Sequence, residues 1–140
     1  MTTPGFLVRL MTYVRLSRNV RLGPEDFMAC EFANRLRVAT LEGRLHAVWT
    51  HPAQELAHGH RNGVAGAISK ALGLVTGTSD YLFLWDGGSA ALEAKSQTGT
   101  LTQAQKDWRE WCAHRGVPFH VFRTADEGEA ILRGLGVLTP

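Results

Sequence analysis

Three charged residues, Asp80, Glu93 and Lys95, lie on two short apolar runs that a glycine-containing segment separates. Two carboxylates can bind a hard divalent cation such as Mg²⁺, which takes oxygen ligands. A lysine amine beside them can stabilise negative charge that develops on a reacting group. The two runs are therefore candidates for a metal-assisted hydrolytic site, provided that they bring the three side chains onto one face.

The local sequence predicts that these runs form a β-hairpin. Residues 80–85 and 90–95 are rich in strand formers, and the Asp-Gly-Gly-Ser sequence at 86–89 supplies turn residues. Side chains alternate along a strand, so Glu93 and Lys95 share a face. The apolar residues around them make both strands look buried on two faces. Because charged residues are rarely buried unless they are paired or bind metal, a functional site is favoured over ordinary surface pairs.

The length of the hairpin loop decides whether the carboxylates meet. With a loop of residues 87–88, Asp80 lies opposite Lys95; with a loop of residues 86–87, Asp80 lies opposite Glu93. Both registers place the three charged side chains on one face. A three-residue loop would send the two carboxylates to opposite faces, so the register is a structural test of the predicted site.

Four motifs follow one another in the second half of the chain: Gly-Thr-Ser-Asp at 77–80, Leu-Glu-Ala-Lys at 92–95, Gly-Thr-Leu-Thr-Gln-Ala-Gln-Lys-Asp-Trp at 99–108 and Gly-Val-Pro-Phe-His-Val-Phe at 116–122. In this order and at this spacing they resemble the VRR-NUC branch of the PD-(D/E)xK nuclease superfamily. The segment Trp-Thr-His-Pro-Ala-Gln-Glu at 49–55 resembles the family more loosely, and Ser79 stands where the family often has proline.

The resemblance implies an α/β fold with a restriction endonuclease-like core, in which helices flank a mixed β-sheet. It implies a Mg²⁺-dependent DNA endonuclease, with Mn²⁺ able to replace Mg²⁺. The metal ligands would be Asp80, Glu93 and the backbone carbonyl of Ala94. Lys95 would orient or deprotonate the attacking water and stabilise charge on the phosphate. Gln105, one turn into the next helix, would position the lysine, the water or the phosphate.

Residues outside these motifs add a further ligand candidate and candidate DNA contacts. Glu31, on a predicted first helix, is at a place where such nucleases often have another acidic residue. The candidate contacts with DNA phosphates are basic and amide side chains: Arg15, Arg18, Arg61, Asn62 and Lys70. The segment 1–23 is apolar as well as basic and has no acidic residue. It is interpreted as a dimerisation segment, a DNA-contacting arm or a solvated strand.

Composition indicates one compact domain over residues 1–140. The chain is 44% hydrophobic and 20% charged, which is globular, and it has no repeat or linker. A formal net charge of +2 is too mildly basic to indicate a nucleic-acid partner by itself. Arg9 and Arg15 interrupt the N-terminal apolar run, and no segment has transmembrane length, so the sequence predicts a cytoplasmic protein with no membrane partner. Cys30 and Cys112 are interpreted as buried thiols in a reducing compartment.

Two other functions remain open on the sequence. His51, His58 and His60 could bind Zn²⁺, although no recognised zinc motif includes them. A non-catalytic DNA-binding module could also have the nuclease fold. Stand-alone members of the resembled family look like dimeric junction-resolving nucleases, which implies a homodimer that acts on branched DNA, like a Holliday junction resolvase. The sequence does not choose among a four-way junction, a flap and ordinary duplex.

The remaining elements are predicted from periodicity and from helix-end signals. The predicted elements are a helix at 24–42, a strand at 45–50, a loop at 54–63, a helix at 64–72, a helix at 102–115, a strand at 118–123 and a helix at 126–133. Thr102 is the predicted N-cap of its helix, and Gly116 is the predicted stop. The apolar stripe on that helix is interpreted as core: Ala104, Trp108, Trp111 and Cys112.

Overall fold

The structure, a computed structural model, describes residues 2–11, 22–52 and 63–140. Its helices are α1 (Gly5–Leu10), α2 (Pro24–Leu41), α3 (Val64–Ala71), α4 (Gln103–His114) and α5 (Ala125–Gly134), and its strands are β1 (Val48–Thr50), β2 (Tyr81–Trp85), β3 (Gly88–Ala94) and β4 (Phe119–Phe122). Within the described ranges, four strands form one mixed sheet in the order β1-β2-β3-β4. The predicted class, an α/β protein whose mixed sheet is flanked by helices, is confirmed at this level.

The predicted hairpin forms the centre of the sheet. β2 and β3 pair antiparallel with Trp85 opposite Gly88, so the loop consists of residues 86–87. Gly87 has a φ of 86°, a left-handed conformation that glycine adopts without steric cost. This two-residue loop gives one of the two registers that bring the carboxylates together.

The outer strands pair with the hairpin in opposite senses. β1 pairs antiparallel with β2. On the other side, the N–H of Ala91 donates to the carbonyl of Pro118 at 2.9 Å, and the N–H of Lys95 donates to the carbonyl of Phe122 at 3.0 Å. From the first bond to the second, the donor and the acceptor move in the same direction and by the same number of residues along their strands. This is the pattern of parallel strands. The hydrogen-bonded ladder thus continues one residue beyond β3, to Lys95.

Chain contacts divide the protein into two units, each made of several segments. The first comprises Met1–Ala47, Ala94–Thr98 and Phe122–Pro140, and the second comprises Val48–Glu93 and Gly99–Val121.

The core of the first unit is built on α2. This helix begins with Pro24 in its first turn, where the missing proline N–H needs no partner, and Glu25 and Asp26 favour the same helix end. Its buried residues recur at helical spacing on one face: Met28, Phe32, Ala33, Leu36 and Ala39. The Phe32 ring packs against the Phe122 ring with 4.4 Å between centroids. The predicted helix at 24–42 is confirmed.

An ion-pair network links α2 to α5 in the first unit. Arg35 donates to Glu31 Oε1 at 2.8 Å, to Asp126 Oδ1 at 2.5 Å and to Glu129 Oε2 at 3.2 Å. The hydrogen bond from Arg35 lowers the pKa of the Asp126 carboxyl, and the same bond is the main cause that raises the pKa of Arg35. The Glu31 and Asp126 side chains are 50% and 85% exposed, so the pairs that they make with Arg35 contribute little to stability.

The core of the second unit is one face of the hairpin, where Tyr81, Phe83, Ala90 and Leu92 are buried. The opposite face of β2 is partly open, since Leu84 is 60% exposed. The prediction that β2 is buried on both faces is therefore wrong. Leu84 pairs with Val48 of β1, which is exposed as well, so both side chains of this pair are open to solvent. In β3, by contrast, every residue from Ala90 to Ala94 is buried.

Several predicted details need correction. Trp111, assigned to the core, is 51% exposed and packs edge-on against Trp108, whereas Cys112 is buried and burial raises the pKa of its thiol. The strand predicted at 45–50 begins only at Val48, because Leu45 forms an isolated bridge with Leu138. Residues Gly5–Leu10 are helical, which the strand interpretation of this segment did not foresee.

Other predictions are confirmed. The structure contains the helices predicted at 64–72, 102–115 and 126–133 and the strand predicted at 118–123, with no end shifted by more than one residue. Both cysteines are free thiols, although Cys30 is only half-buried. None of the described helices is long and apolar enough to cross a membrane.

Candidate active site

The register of the β2–β3 hairpin, extended by one position, sets Asp80 opposite Glu93. The ladder pairs Tyr81 with Leu92, and one further step in the same register pairs Asp80 with Glu93. Alternation then places both carboxylates on the sheet face opposite Tyr81. Glu93 is 1% exposed, and Asp80 is half-buried. This is one of the two registers that the sequence allowed. It sets a buried carboxylate opposite a partly exposed one.

A glutamine of α4 holds the Glu93 carboxylate. Gln105 Nε2 donates to Glu93 Oε1 at 2.8 Å, and Glu93 Oε2 is also buried. The same amide accepts through Oε1 from the N–H of Thr102 at 2.9 Å, while the N–H of Gln105 donates to Thr102 Oγ1 at 3.2 Å. A carboxylate only accepts and a backbone N–H only donates, so the amide orientation is fixed at both ends. The helix cap thus positions the carboxylate.

Lys95 follows Glu93 by two residues on the same extended chain. Its N–H continues the ladder, and its side chain is 6% exposed. Alternation places Lys95 on the strand face of Glu93 and Ala94 on the other face. A lysine is rarely buried to this degree without an electrostatic reason, because removing an ammonium group from water is costly.

The loop before Asp80 is fastened to α4. Trp108 Nε1 donates to Ser79 Oγ at 2.9 Å, and Ser79 is fully buried. Gly77 has a φ of 91°, and a Cβ at this position would lie 2.3 Å from the carbonyl oxygen of Ala104. Ser79, which the sequence comparison of motifs singled out, is therefore the hydrogen-bond partner of Trp108. One face of α4 reaches both the loop before β2 and the end of β3.

Replacing Gly77 by alanine is expected to destabilise the protein strongly. A non-glycine residue at this positive φ costs on the order of 1–3 kcal/mol of unfolding free energy. The new Cβ would also collide with the backbone of the first turn of α4, which cannot move without disturbing Gln105. Urea-induced unfolding of Gly77→Ala, followed by circular dichroism, measures the loss.

Gly116→Ala is the matched control for this prediction. Gly116 also has a positive φ, of 71°, but nothing lies within 4 Å of a Cβ added there. It therefore reports the cost of the backbone conformation alone. Equal losses of unfolding free energy in the two variants would contradict the proposed close contact between the loop and α4.

His51 contacts Asp80 from the neighbouring strand. Its Nδ1 lies 2.6 Å from the Asp80 carbonyl oxygen, and its ring centroid is 5.4 Å from that of Tyr81. The sequence grouped His51 with His58 and His60 as zinc ligands, but those two residues lie outside the described ranges. The hydrogen bond with Asp80 has no signal in the sequence.

Of the other predicted site residues, the structure describes Glu31 and Lys70. Glu31 is exposed on α2, in the first unit, where it pairs with Arg35. Lys70 is exposed in the last turn of α3. Four candidate DNA contacts are not among the described residues: Arg15, Arg18, Arg61 and Asn62. The roles assigned to all of these residues stay predictions.

Asp80 and Glu93 are oxygen donors, the kind of ligand that Mg²⁺ takes in proteins. Among residues 2–11, 22–52 and 63–140, no three side chains of His, Cys, Asp or Glu are grouped closely enough to hold a metal ion. Mg²⁺ commonly binds one or two carboxylates and keeps several waters. Asp80 and Glu93, with the Ala94 carbonyl, would fit this pattern.

Besides the hydrogen bond between His51 and Asp80, two contacts of the site were missed, and only one of these two had a sequence signal. Thr102-x-x-Gln105 is a capping-box pattern and could have been recognised as such. The hydrogen bond between Ser79 and Trp108 joins residues far apart in the chain, and nothing local predicts it.

Comparison of the chain with protein-family models, with curated proteins and with solved structures found no match. The site consists of two opposed carboxylates, one of them buried and held by an amide, with a buried lysine two residues further along the chain.

Proposed function

We propose that the protein is a Mg²⁺-dependent DNA endonuclease with a restriction endonuclease-like core, related to the VRR-NUC nucleases. The observation that carries this proposal is the two-residue loop at 86–87, which sets Asp80 opposite Glu93. A loop of one more residue would have separated these carboxylates. The motifs at 77–80, 92–95 and 99–108 support the proposal, because α4 connects them physically through Ser79, Glu93 and Gly77.

In this proposal the carboxylates of Asp80 and Glu93 and the carbonyl of Ala94 bind the cation. When bound there, Mg²⁺ neutralises the scissile phosphate and lowers the pKa of a water ligand. Gln105 already fixes the orientation of the Glu93 carboxylate, so this side chain needs little reorganisation when the cation binds. Asp80 is the more open of the two and is accessible to solvent and substrate.

Lys95 supplies a positive charge in a buried position. Charges act more strongly where water is excluded, so its ammonium group can stabilise the negative charge that builds up on the phosphate during cleavage. The ammonium group can also orient the attacking water, or Lys95 in its neutral amine form can deprotonate it. Gln105 acts through Glu93 and is a positioning residue rather than a group that touches substrate.

The proposed substrate is branched DNA, and the proposed active form is a homodimer. The family resemblance supports both statements. The homodimer is also supported by α1, whose apolar side chains Phe6 and Val8 are 64% and 56% exposed. A symmetric pair would offer two metal sites to two strands of a junction.

Cleavage assays with and without metal test the proposal. Wild-type protein should cut a four-way junction faster than a flap or a linear duplex of matched sequence when Mg²⁺ is present. EDTA should abolish cutting, and Mn²⁺ added in excess should restore it, because the carboxylate pair accepts either cation. Light scattering on the same preparation should give the mass of a dimer.

Each arm of the assay has an outcome that contradicts the proposal. DNA cleavage that continues in the presence of EDTA would rule out the metal-dependent mechanism. Binding to junctions without cleavage in either metal would indicate a non-catalytic DNA-binding module. Stoichiometric zinc in metal analysis, lost in His58→Ala and His60→Ala, would favour the zinc alternative. A monomer that cuts linear duplex as fast as junctions would overturn the dimer and the substrate but leave the metal site standing.

A further inference from the structure

The Asp80 carbonyl accepts its hydrogen bond from a side chain at a place where the sheet cannot supply a backbone donor. The β1–β2 register pairs Thr50 with Leu82, and two further steps pair Pro52 with Asp80. Proline has no N–H, so the antiparallel ladder cannot donate at this position. The imidazole of His51 lies there instead, with Nδ1 2.6 Å from the Asp80 oxygen.

The geometry fixes how His51 makes this bond. A carbonyl oxygen only accepts, so Nδ1 must be the protonated ring nitrogen. By alternation along β1, His51 lies on the face of Trp49 and Tyr81, and its ring packs near the Tyr81 ring. The carboxylates of Asp80 and Glu93 lie on the opposite face. His51 is therefore placed to hold the backbone of Asp80 rather than to share a metal ion with its carboxylate.

We propose that His51 is a positioning residue for the metal site, and this inference rests on the proposed function of Asp80 as a metal ligand. Asp80 lies one residue outside β2, so it follows the register of the β2–β3 ladder but is not one of the residues that the ladder pairs. The His51 hydrogen bond replaces the missing ladder bond and restrains the peptide that follows the Asp80 Cα. It thereby restricts the direction of the carboxylate before the cation binds. A preorganised ligand loses less conformational entropy on binding, which raises metal affinity.

Mn²⁺ binding, measured by isothermal titration calorimetry without DNA, tests the role of the imidazole. His51→Ala should weaken Mn²⁺ binding roughly 10- to 100-fold, the usual effect of removing a group that orients a metal ligand. His51→Asn should bind close to the wild-type level, because the asparagine Nδ2 can donate from nearly the position of the histidine Nδ1. His46→Ala is the control, since His46 is an exposed histidine of the first unit.

A second variant restores the donor through the backbone. Pro52→Ala places an N–H opposite the Asp80 carbonyl, so the double variant His51→Ala/Pro52→Ala should recover a large part of the affinity that His51→Ala loses. This rescue separates the hydrogen bond from any general effect of the histidine on folding. Thermal unfolding of every variant shows whether a loss of binding is a loss of structure.

The outcomes distinguish this inference from the proposed function. Wild-type protein that binds no Mn²⁺ would overturn both. Wild-type binding that His51→Ala leaves unchanged would overturn the positioning role alone. So would a loss that neither His51→Asn nor the double variant restores. Nitrogen NMR of the metal-free protein gives a check independent of metal: a neutral His51 protonated on Nε2 instead of Nδ1 would rule out the bond to Asp80.

Discussion

Asp80→Asn and Glu93→Gln are each expected to lower the rate of DNA cleavage by at least about a hundredfold. Each change removes one of the two negative charges that hold the cation. A bound cation contributes several kcal/mol of transition-state stabilisation, and each ~1.4 kcal/mol changes the rate tenfold. Both variants should also lose Mn²⁺ binding in calorimetry, which places the defect in the metal site rather than in DNA binding.

The amide substitutions keep the local structure. In Glu93→Gln an amide oxygen can still accept from Gln105, so the buried contact between β3 and α4 survives without its charge. An alanine at the same buried position would leave a cavity and an unpaired Gln105 amide, and a loss of activity could then reflect misfolding. Unfolding free energies of the two amide variants close to that of the wild type are expected.

Asp86→Asn is the matched control for the carboxylate variants. Asp86 lies in the loop of the same hairpin and is exposed, so it undergoes the same chemical change away from the paired carboxylates. It should cleave DNA and bind Mn²⁺ as the wild type does. Native cleavage rates in both Asp80→Asn and Glu93→Gln would rule out the proposed site.

The sequence predicted the part of the site that depends on local rules. Alternation along a strand and the turn residues at 86–89 restricted Asp80 and Glu93 to a few registers, and the two-residue loop selected one of them. Thr102 was recognised as a cap because a threonine before a helix has a local signature. These features involve residues close in sequence, so propensity and spacing are sufficient to predict them.

The sequence could not predict contacts that depend on tertiary packing. Gln105 was expected to act on the lysine, the water or the phosphate, but the structure shows its amide on Glu93. Trp111 has the spacing of a core residue, yet it is 51% exposed and packs edge-on against Trp108. Leu45 has strand character but pairs with Leu138 at the other end of the chain. Periodicity does not reveal which partner a face meets.

The motif of α4 has a physical explanation in this packing. Gln105 and Trp108 are three residues apart and therefore share a face of the helix, where one binds β3 and the other binds the loop before β2. Thr102 orients the glutamine, and Gly77 allows the loop to approach the helix backbone. Through these contacts α4 holds the loop that carries Asp80 and the strand that carries Glu93 at a fixed distance from each other. The α4 residues can have this role without touching substrate.

Lys95→Met is expected to reduce the turnover number by about a hundredfold or more while Mn²⁺ affinity and DNA affinity stay close to wild type. Removal of one group that stabilises transition-state charge has this size of effect in other hydrolases. Methionine fills most of the volume of the buried lysine, so the change removes the charge without opening a large cavity. Single-turnover cleavage at saturating protein and Mg²⁺ measures the chemical step, and calorimetry measures Mn²⁺ binding.

Lys106→Met is the control for this change, because Lys106 is exposed on α4 and outside the contacts that hold the site. Comparison with the carboxylate variants then separates two roles. Loss of Asp80 or Glu93 should abolish metal binding, whereas loss of Lys95 should slow a site that still binds its cation. A Lys95→Met protein that cleaves at the native rate would show that this lysine is structural. The buried ammonium group would then balance the charge of the carboxylates, without acting on the phosphate.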